Sequence, residues 1–162
     1  IDYIENLTEE IDKSYNEYDF NNPSQKLRYF LWEIFASNYI EIVKARVYNQ
    51  DKKFTKEESD SAKYTLYFLL ERFLTLIYPI IPQITTTIGE EIKLELLKGE
   101  WPKLIKGKSD LKLIENIIEF NSGVWKKKKE KGISLREEIS GVKIPKELKD
   151  FEKDLKVAHN LN

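Results

Sequence analysis

Between Leu27 and Val47 the chain has almost no polar side if it is wound as a helix. Advancing about 100° per residue from Leu27, one arc takes Leu27, Leu31, Ile34, Phe35, Asn38, Ile42 and Ala45, and a second takes Trp32, Ala36, Tyr39, Ile40, Val43 and Val47. Only Glu33, Ser37 and Lys44 form a polar ridge. A helix apolar on nearly every side is stable where neighbours cover more than one face. The segment therefore calls for a bundle around it. Most of its rings, Trp32 and Phe35 among them, are expected in the core, because a stacking surface would need them exposed together. Asn38, central in an apolar arc, then needs an internal hydrogen-bond partner, and Glu41 at its edge needs a cation or an amide. Arg28 and Arg46 share one angle at opposite ends, where their stems pack on apolar surface and the guanidinium groups reach out.

The flanking sequence supplies the other helices. Ile1, Ile4, Leu7, Ile11, Tyr15 and Tyr18 recur at steps of three and four, which predicts a first amphipathic helix. Asn22-Pro23 reads as a cap and first helical residue for the second, running to about Tyr48. Thr55-Lys56-Glu57-Glu58 has capping-box spacing and opens a third, which stops before Pro79 and Pro82. A fourth is expected over Thr85–Lys98 with Gly99 as a left-handed cap, and a fifth over Asp110–Lys131, capped by Ser109 and ended by Gly132. Ile133-Ser134-Leu135 and Val142-Lys143-Ile144 alternate at period two about a turn at Ser140-Gly141, the pattern of short extended segments. Pro145 opens a last helix with Leu148, Phe151 and Leu155 on one face. The expected fold is mainly all-α, a helical bundle with a small mixed C-terminal appendage.

Charge and composition narrow the chemistry. The 27 Lys and Arg nearly balance the 28 Asp and Glu, so no global field advertises nucleic acid. The distribution is uneven: residues 1–20 hold seven acids against one base, and residues 126–131 hold five lysines against one glutamate. In the fifth helix the apolar half-wheel ends at Trp125 and lysines take over, with Lys128 continuing the line of the apolar face. A tryptophan beside Lys126 and Lys128 at a helix end suits RNA contact; a solvated lysine-rich tail over a core tryptophan accounts for the same letters. Cysteine is absent, which excludes disulfides and thiolate metal sites. The one histidine, His159, has no second ligand nearby and reads as a surface residue. The longest uncharged run, Phe73 to Gly89, contains Pro79 and Pro82 and makes a poor membrane span. No phosphate loop, zinc helix or nucleophile elbow occurs, and Glu90-Glu91 and Glu137-Glu138 are adjacent pairs of the kind that stay exposed. The chain by itself is expected to catalyse nothing. Methionine is absent even at position 1, which reads as a piece of a longer protein.

A family resemblance joins these patterns. Phe30-Leu31-Trp32 with Phe35-x-x-x-Tyr39-Ile40-Glu41-x-x-Lys44-x-Arg46 resembles the F-x-W-x-x-F-C-D-x-Y-I-E-x-x-K segment of valyl-tRNA synthetases. Tyr18-Asp19-Phe20 is similar to the Y-x-F before it. Tyr78-Pro79-Ile80-Ile81-Pro82-Gln83-Ile84-Thr85 and Glu100-Trp101-Pro102 resemble the family's P-F-x-P-x-I-T-E-E and following W-P. Phe120-Asn121-Ser122, Trp125-Lys126 and Lys131-Gly132-Ile133-Ser134-Leu135 resemble the F-N-x-x-x-W-K…K-G-x-S-L tract of archaeal-type enzymes. Ala36-Ser37 and Thr86-Thr87 depart from it, and the family's first helix of this domain would precede Ile1.

The resemblance implies an anticodon-binding helical bundle over residues 1–108, with residues 109–162 packed on it. It further implies a valine tRNA and the remainder of the synthetase chain as partners, no membrane, and a cytoplasmic location. ATP and Mg²⁺ would serve the parent ligase, and no cofactor is expected in this part. The tRNA-contacting candidates are Arg28, Lys44, Arg46, Trp125, Lys126 and Lys128. Two other readings stay open: the equivalent domain of an isoleucyl-tRNA synthetase, and a non-catalytic helical interaction module.

Overall fold

The computed structural model describes residues 1–96, 100–105 and 111–162. The fold is all-α. In chain order come α1 (Asp2–Asn16), α2 (Asn21–Tyr29), a π-helical segment (Phe30–Ile40), α3 (Glu41–Tyr48), α4 (Lys56–Ile77), α5 (Pro82–Glu91), α6 (Leu111–Glu130), a 3₁₀ turn (Lys146–Phe151) and α7 (Glu152–His159). The two stretches expected to be extended form no strand; instead Ile139 and Leu161 make an isolated parallel bridge, and Gly141 turns the chain at φ +78°. Gly99 and Ser109, expected as caps, lie outside the described residues.

Two compact units divide the chain, residues 1–32 with 63–109 and residues 33–62 with 110–162. In the first, α1 packs against α2. Ile4, Leu7 and Ile11 are buried, as are Leu27, Phe30, Phe73, Leu74 and Leu76. Phe30 joins them, stacked on Tyr3 at 5.8 Å and tilted against Phe73 at 6.2 Å. Tyr15 donates its hydroxyl to the Leu76 carbonyl at 2.8 Å, and burial raises that phenol to about 12. A buried ion pair, Arg72 Nη2 to Glu5 Oε1 at 2.9 Å, is fixed by the Ile105 amide donating to Glu5 Oε2 at 2.6 Å. Asp19, not Asn22, caps α2: its Oδ1 accepts from the amides of Asn21 and Asn22 at 2.9 and 3.1 Å.

In the second unit, α3 packs on α7, and the 3₁₀ turn packs on α6 and α7. The capping box forms as expected, Thr55 N donating to Glu58 Oε2 at 2.7 Å and Glu58 N to Thr55 Oγ1 at 3.2 Å. The helical run through Phe30–Ile40 departs from expectation. Its π bonds span five residues, so the 100° spacing of an α-helical wheel does not carry through it. Trp32, placed in the core by that wheel, is 68 % exposed, and Phe35 is half-buried. Asn38 is buried and donates to the Glu33 carbonyl, five residues back, at 2.7 Å.

Candidate functional site

The second unit contains an open cleft of about 920 Å³, walled by α3, the loop after it, Trp125 of α6, the 135–136 turn and the end of α7. Each wall has its own brace. Asn49 takes the left-handed conformation that ends α3 (φ 44°), and its side-chain amide closes the following loop. It donates to the Phe54 carbonyl at 2.7 Å and accepts from the Phe54 amide at 3.0 Å. Phe54 is thereby buried, with the Arg46 guanidinium 5.6 Å and the Lys153 ammonium 4.7 Å from its ring centre, a cation on the π system from each side chain. Arg46 also holds Asp154 of α7 in a bidentate pair, Nε to Oδ1 at 2.8 Å and Nη2 to Oδ2. Lys153 bonds both oxygens of Glu58 at 2.8 and 2.7 Å, and that pairing holds the Glu58 carboxyl below its ordinary value.

Behind Trp125 runs a buried polar relay. His159 is 3 % exposed, and its Nε2 lies 2.7 Å from Asn121 Oδ1. Asn121 Nδ2 donates to Asn38 Oδ1 at 2.8 Å, so the Asn121 oxygen accepts and His159 Nε2 carries the proton. Phe120 and Trp125 meet the imidazole edge-on at 5.8 and 5.9 Å. Burial first, and then the Lys128 charge, push the ring down to about 4; it is neutral at pH 7. The surface location expected for His159 is corrected accordingly.

Lys128 is corrected in the same way. It is fully buried, and its Nζ donates to the carbonyls of Leu135 at 2.7 Å and Glu137 at 2.6 Å. Burial lowers its ammonium below the ordinary lysine value, against the opposing pull of Glu137. It offers no charge to the surface.

The remaining candidates separate by location. Lys44 and Trp125 line the cleft together. Lys44 is exposed and paired to Glu41 one turn before it, which gives Glu41 the cation it required. Arg46 is committed to Asp154 and Phe54. Lys126 is exposed on α6, and Arg28 is exposed on α2 in the first unit. The cleft adds residues that the sequence reading passed over: Tyr48, 74 % exposed, and Lys53, Leu135 and Arg136. Glu41 and Asp51 also stand in its wall. Lys53 lies 3.6 Å from Asp51, whereas Arg136 has no carboxylate within ion-pair distance among the described residues. The Ser134-x-x-Glu137 spacing was the available signal for this turn, because it lets a side chain satisfy a local amide. An aromatic edge, exposed cations and bonded loop backbones suit a polyanion with unstacked rings. No group of three His, Asp or Glu that could hold a metal occurs among the described residues, and no described helix is long and apolar enough to cross a membrane.

Comparison with known proteins adds independent findings. The family model described as "Anticodon-binding domain of tRNA ligase" matches residues 1–144. A protein named valine–tRNA ligase from Nanoarchaeum equitans is 35% identical over 164 residues, covering 99% of this chain and 20% of its own length. One of the same name from Pyrobaculum aerophilum is 33% identical over 165 residues, covering 96% of this chain and 20% of its own. Another, from Rickettsia felis, is 30% identical over 171 residues, covering 98% of this chain and 20% of its own. The chain thus spans about a fifth of the length of these relatives. No solved structure matches.

Proposed function

The chain belongs to the family of anticodon-binding domains of tRNA ligases, and from that premise we propose that it holds the anticodon stem-loop of a valine tRNA for a valine–tRNA ligase. The observation that carries the valine assignment is the match over nearly the whole chain to relatives named valine–tRNA ligase. The same observation favours valine over isoleucine. On this reading, ligation of valine with ATP and Mg²⁺ belongs to the rest of the enzyme, and this part selects and orients the tRNA in the cytoplasm.

The cleft of the second unit is the contact surface that best fits. Lys44 and Arg136 in the cleft wall, with Lys126 exposed next to Trp125 on α6, would meet backbone phosphates, which position the RNA. Trp125 and Tyr48 would stack on unstacked loop bases. Arg28 remains a candidate for a phosphate contact from the first unit. Arg46 and Lys128 support the surface from within.

Equilibrium binding of valine and isoleucine tRNA transcripts at low salt tests the proposal. Tighter binding of the valine transcript, weakening steeply as salt rises, is the expected result. Preference for the isoleucine transcript would move the domain to an isoleucine ligase. Equal and negligible binding of both would favour a protein-interaction module.

A further inference from the structure

The turn from Ile133 to Ile139 is bonded far more completely than a surface turn requires. Three consecutive carbonyls are occupied by side-chain donors: those of Leu135 and Glu137 by Lys128 Nζ at 2.7 and 2.6 Å, and that of Arg136 by Asn160 Nδ2 at 3.0 Å. Five of the amides are held as well. Ile133 N donates to the Lys128 carbonyl at 3.1 Å, Glu137 N to the Ser134 carbonyl at 3.0 Å and Ile139 N to the Asn160 carbonyl at 3.1 Å. Ser134 N donates to Glu137 Oε1 at 2.7 Å and Arg136 N to Ser134 Oγ at 3.3 Å. The side chains at the tip do the opposite: Leu135 is 57 % exposed, and Arg136 is exposed in the cleft wall.

Water would satisfy those carbonyls at little cost if the turn were merely a connection. Withdrawing an ammonium entirely from solvent is costly by comparison. What that arrangement gains is rigidity, because a loop already ordered before binding avoids the entropy of ordering upon it. We infer that Lys128 is a positioning residue, whose buried ammonium, with Asn160, clamps the 133–139 turn so that Arg136 is presented in a fixed orientation to a backbone phosphate of the bound RNA. The arginine fork suits that ligand, since it meets phosphate oxygens in pairs and only in defined geometry. The inference rests on the tRNA-binding reading above and adds to it the contact residue and the device that aims it.

The test is a double-mutant cycle in the 162-residue chain, read as affinity for a valine tRNA transcript at fixed salt. Arg136→Ala should weaken binding roughly tenfold, the worth of a charged hydrogen bond. Lys128→Met, which keeps the stem and removes the donors, should weaken it to a similar degree. The double variant should bind no worse than Arg136→Ala alone, because both changes remove one interaction. A direct phosphate contact by Lys128, or a general loosening of the unit, would instead make the two losses multiply, and that result overturns the inference. A folded Lys128→Met that binds like the wild type overturns it too. Should Lys128→Met fail to fold, Asn160→Gly decides in the same cycle: glycine accepts the φ of +49° at that position and removes the donor to the Arg136 carbonyl. Absence of binding by the wild type would defeat the underlying reading, and the inference with it. That outcome is seen in the wild-type arm alone and cannot be confused with an additive cycle.

Discussion

His159 carries a pH dependence that its neighbours dictate. The imidazole is neutral when folded, its value pushed down from 6.5 to about 4 by burial and by the Lys128 charge. In the unfolded chain it titrates near its ordinary value. Between about pH 6.5 and 4 the unfolded state binds a proton that the folded state refuses, so the stability of the fold declines as pH falls through that window. The group contributes its full share above pH 6.5 and none below about 4. At about 1.4 kcal/mol per unit the whole loss is roughly 3 kcal/mol. Urea unfolding of wild type and His159→Gln at pH 7 and at pH 4 isolates it, since the carboxylates titrate alike in both. The wild type should lose about 3 kcal/mol more than the variant, and parallel losses would show that the ring is not buried neutral. Sequence made Asn38 legible as a bonded core residue because its apolar surroundings are local. It did not reveal His159, whose partner Asn121 is 38 positions away. For Lys128 the apolar line was correct and the charge misleading, because the carbonyls that satisfy it come from a turn seven and nine residues on.

Helix existence was readable, and helix ends were readable where a side chain marked them. Thr55 and Glu58 gave α4 its start through a reciprocal bond. The end of α5 was placed too late, at Gly99, because the glycine that matters lies inside the expected helix. The chain leaves α5 at Glu91, passes through Lys93 at φ +59°, and returns the Leu94 amide to the Gly89 carbonyl at 2.8 Å. A Cβ on Gly89 would stand 2.8 Å from the Leu94 carbonyl oxygen and 3.3 Å from the Leu96 side chain. Alanine is the better helix former, yet here it collides with backbone. Gly89→Ala should therefore destabilise by roughly 1–3 kcal/mol, the usual cost of overpacking. A rise in the urea midpoint would mean that the return of the chain over α5 is wrong. The π segment separates two adjoining rings in the same way. Phe30→Ala removes a ring 3 % exposed and should cost roughly 3–5 kcal/mol. Trp32→Ala removes one that is 68 % exposed and should stay within about 0.5 kcal/mol of wild type. Equal losses would return Trp32 to the core and restore a plain α-helical wheel.

Across the whole molecule the cations divide by how they are used. In the first unit Lys13 is paired with Glu9, Lys26 with Glu10 and Arg72 with Glu5, so these three cations answer acids of α1. In the second unit Lys126 and Arg136 have no carboxylate partner among the described residues, and Lys44 has only an exposed one, Glu41, of the kind worth little. A net charge of −1 therefore does not oppose RNA binding, because counterion release depends on the cations that reach phosphates and not on the sum. Three such contacts on a single-stranded loop predict a slope of about −2 for the logarithm of affinity against the logarithm of salt concentration, at about −0.7 for each phosphate. Removing one of them should flatten the slope by about 0.7, so Lys126→Ala should bind the valine transcript with a slope near −1.4. Its melting curve should match the wild type, since the side chain is exposed and unpaired. An unchanged slope would remove Lys126 from the contact surface. A slope near zero already in the wild type would mean that phosphates contribute little, and that whatever affinity is measured comes from stacking on Trp125 and Tyr48.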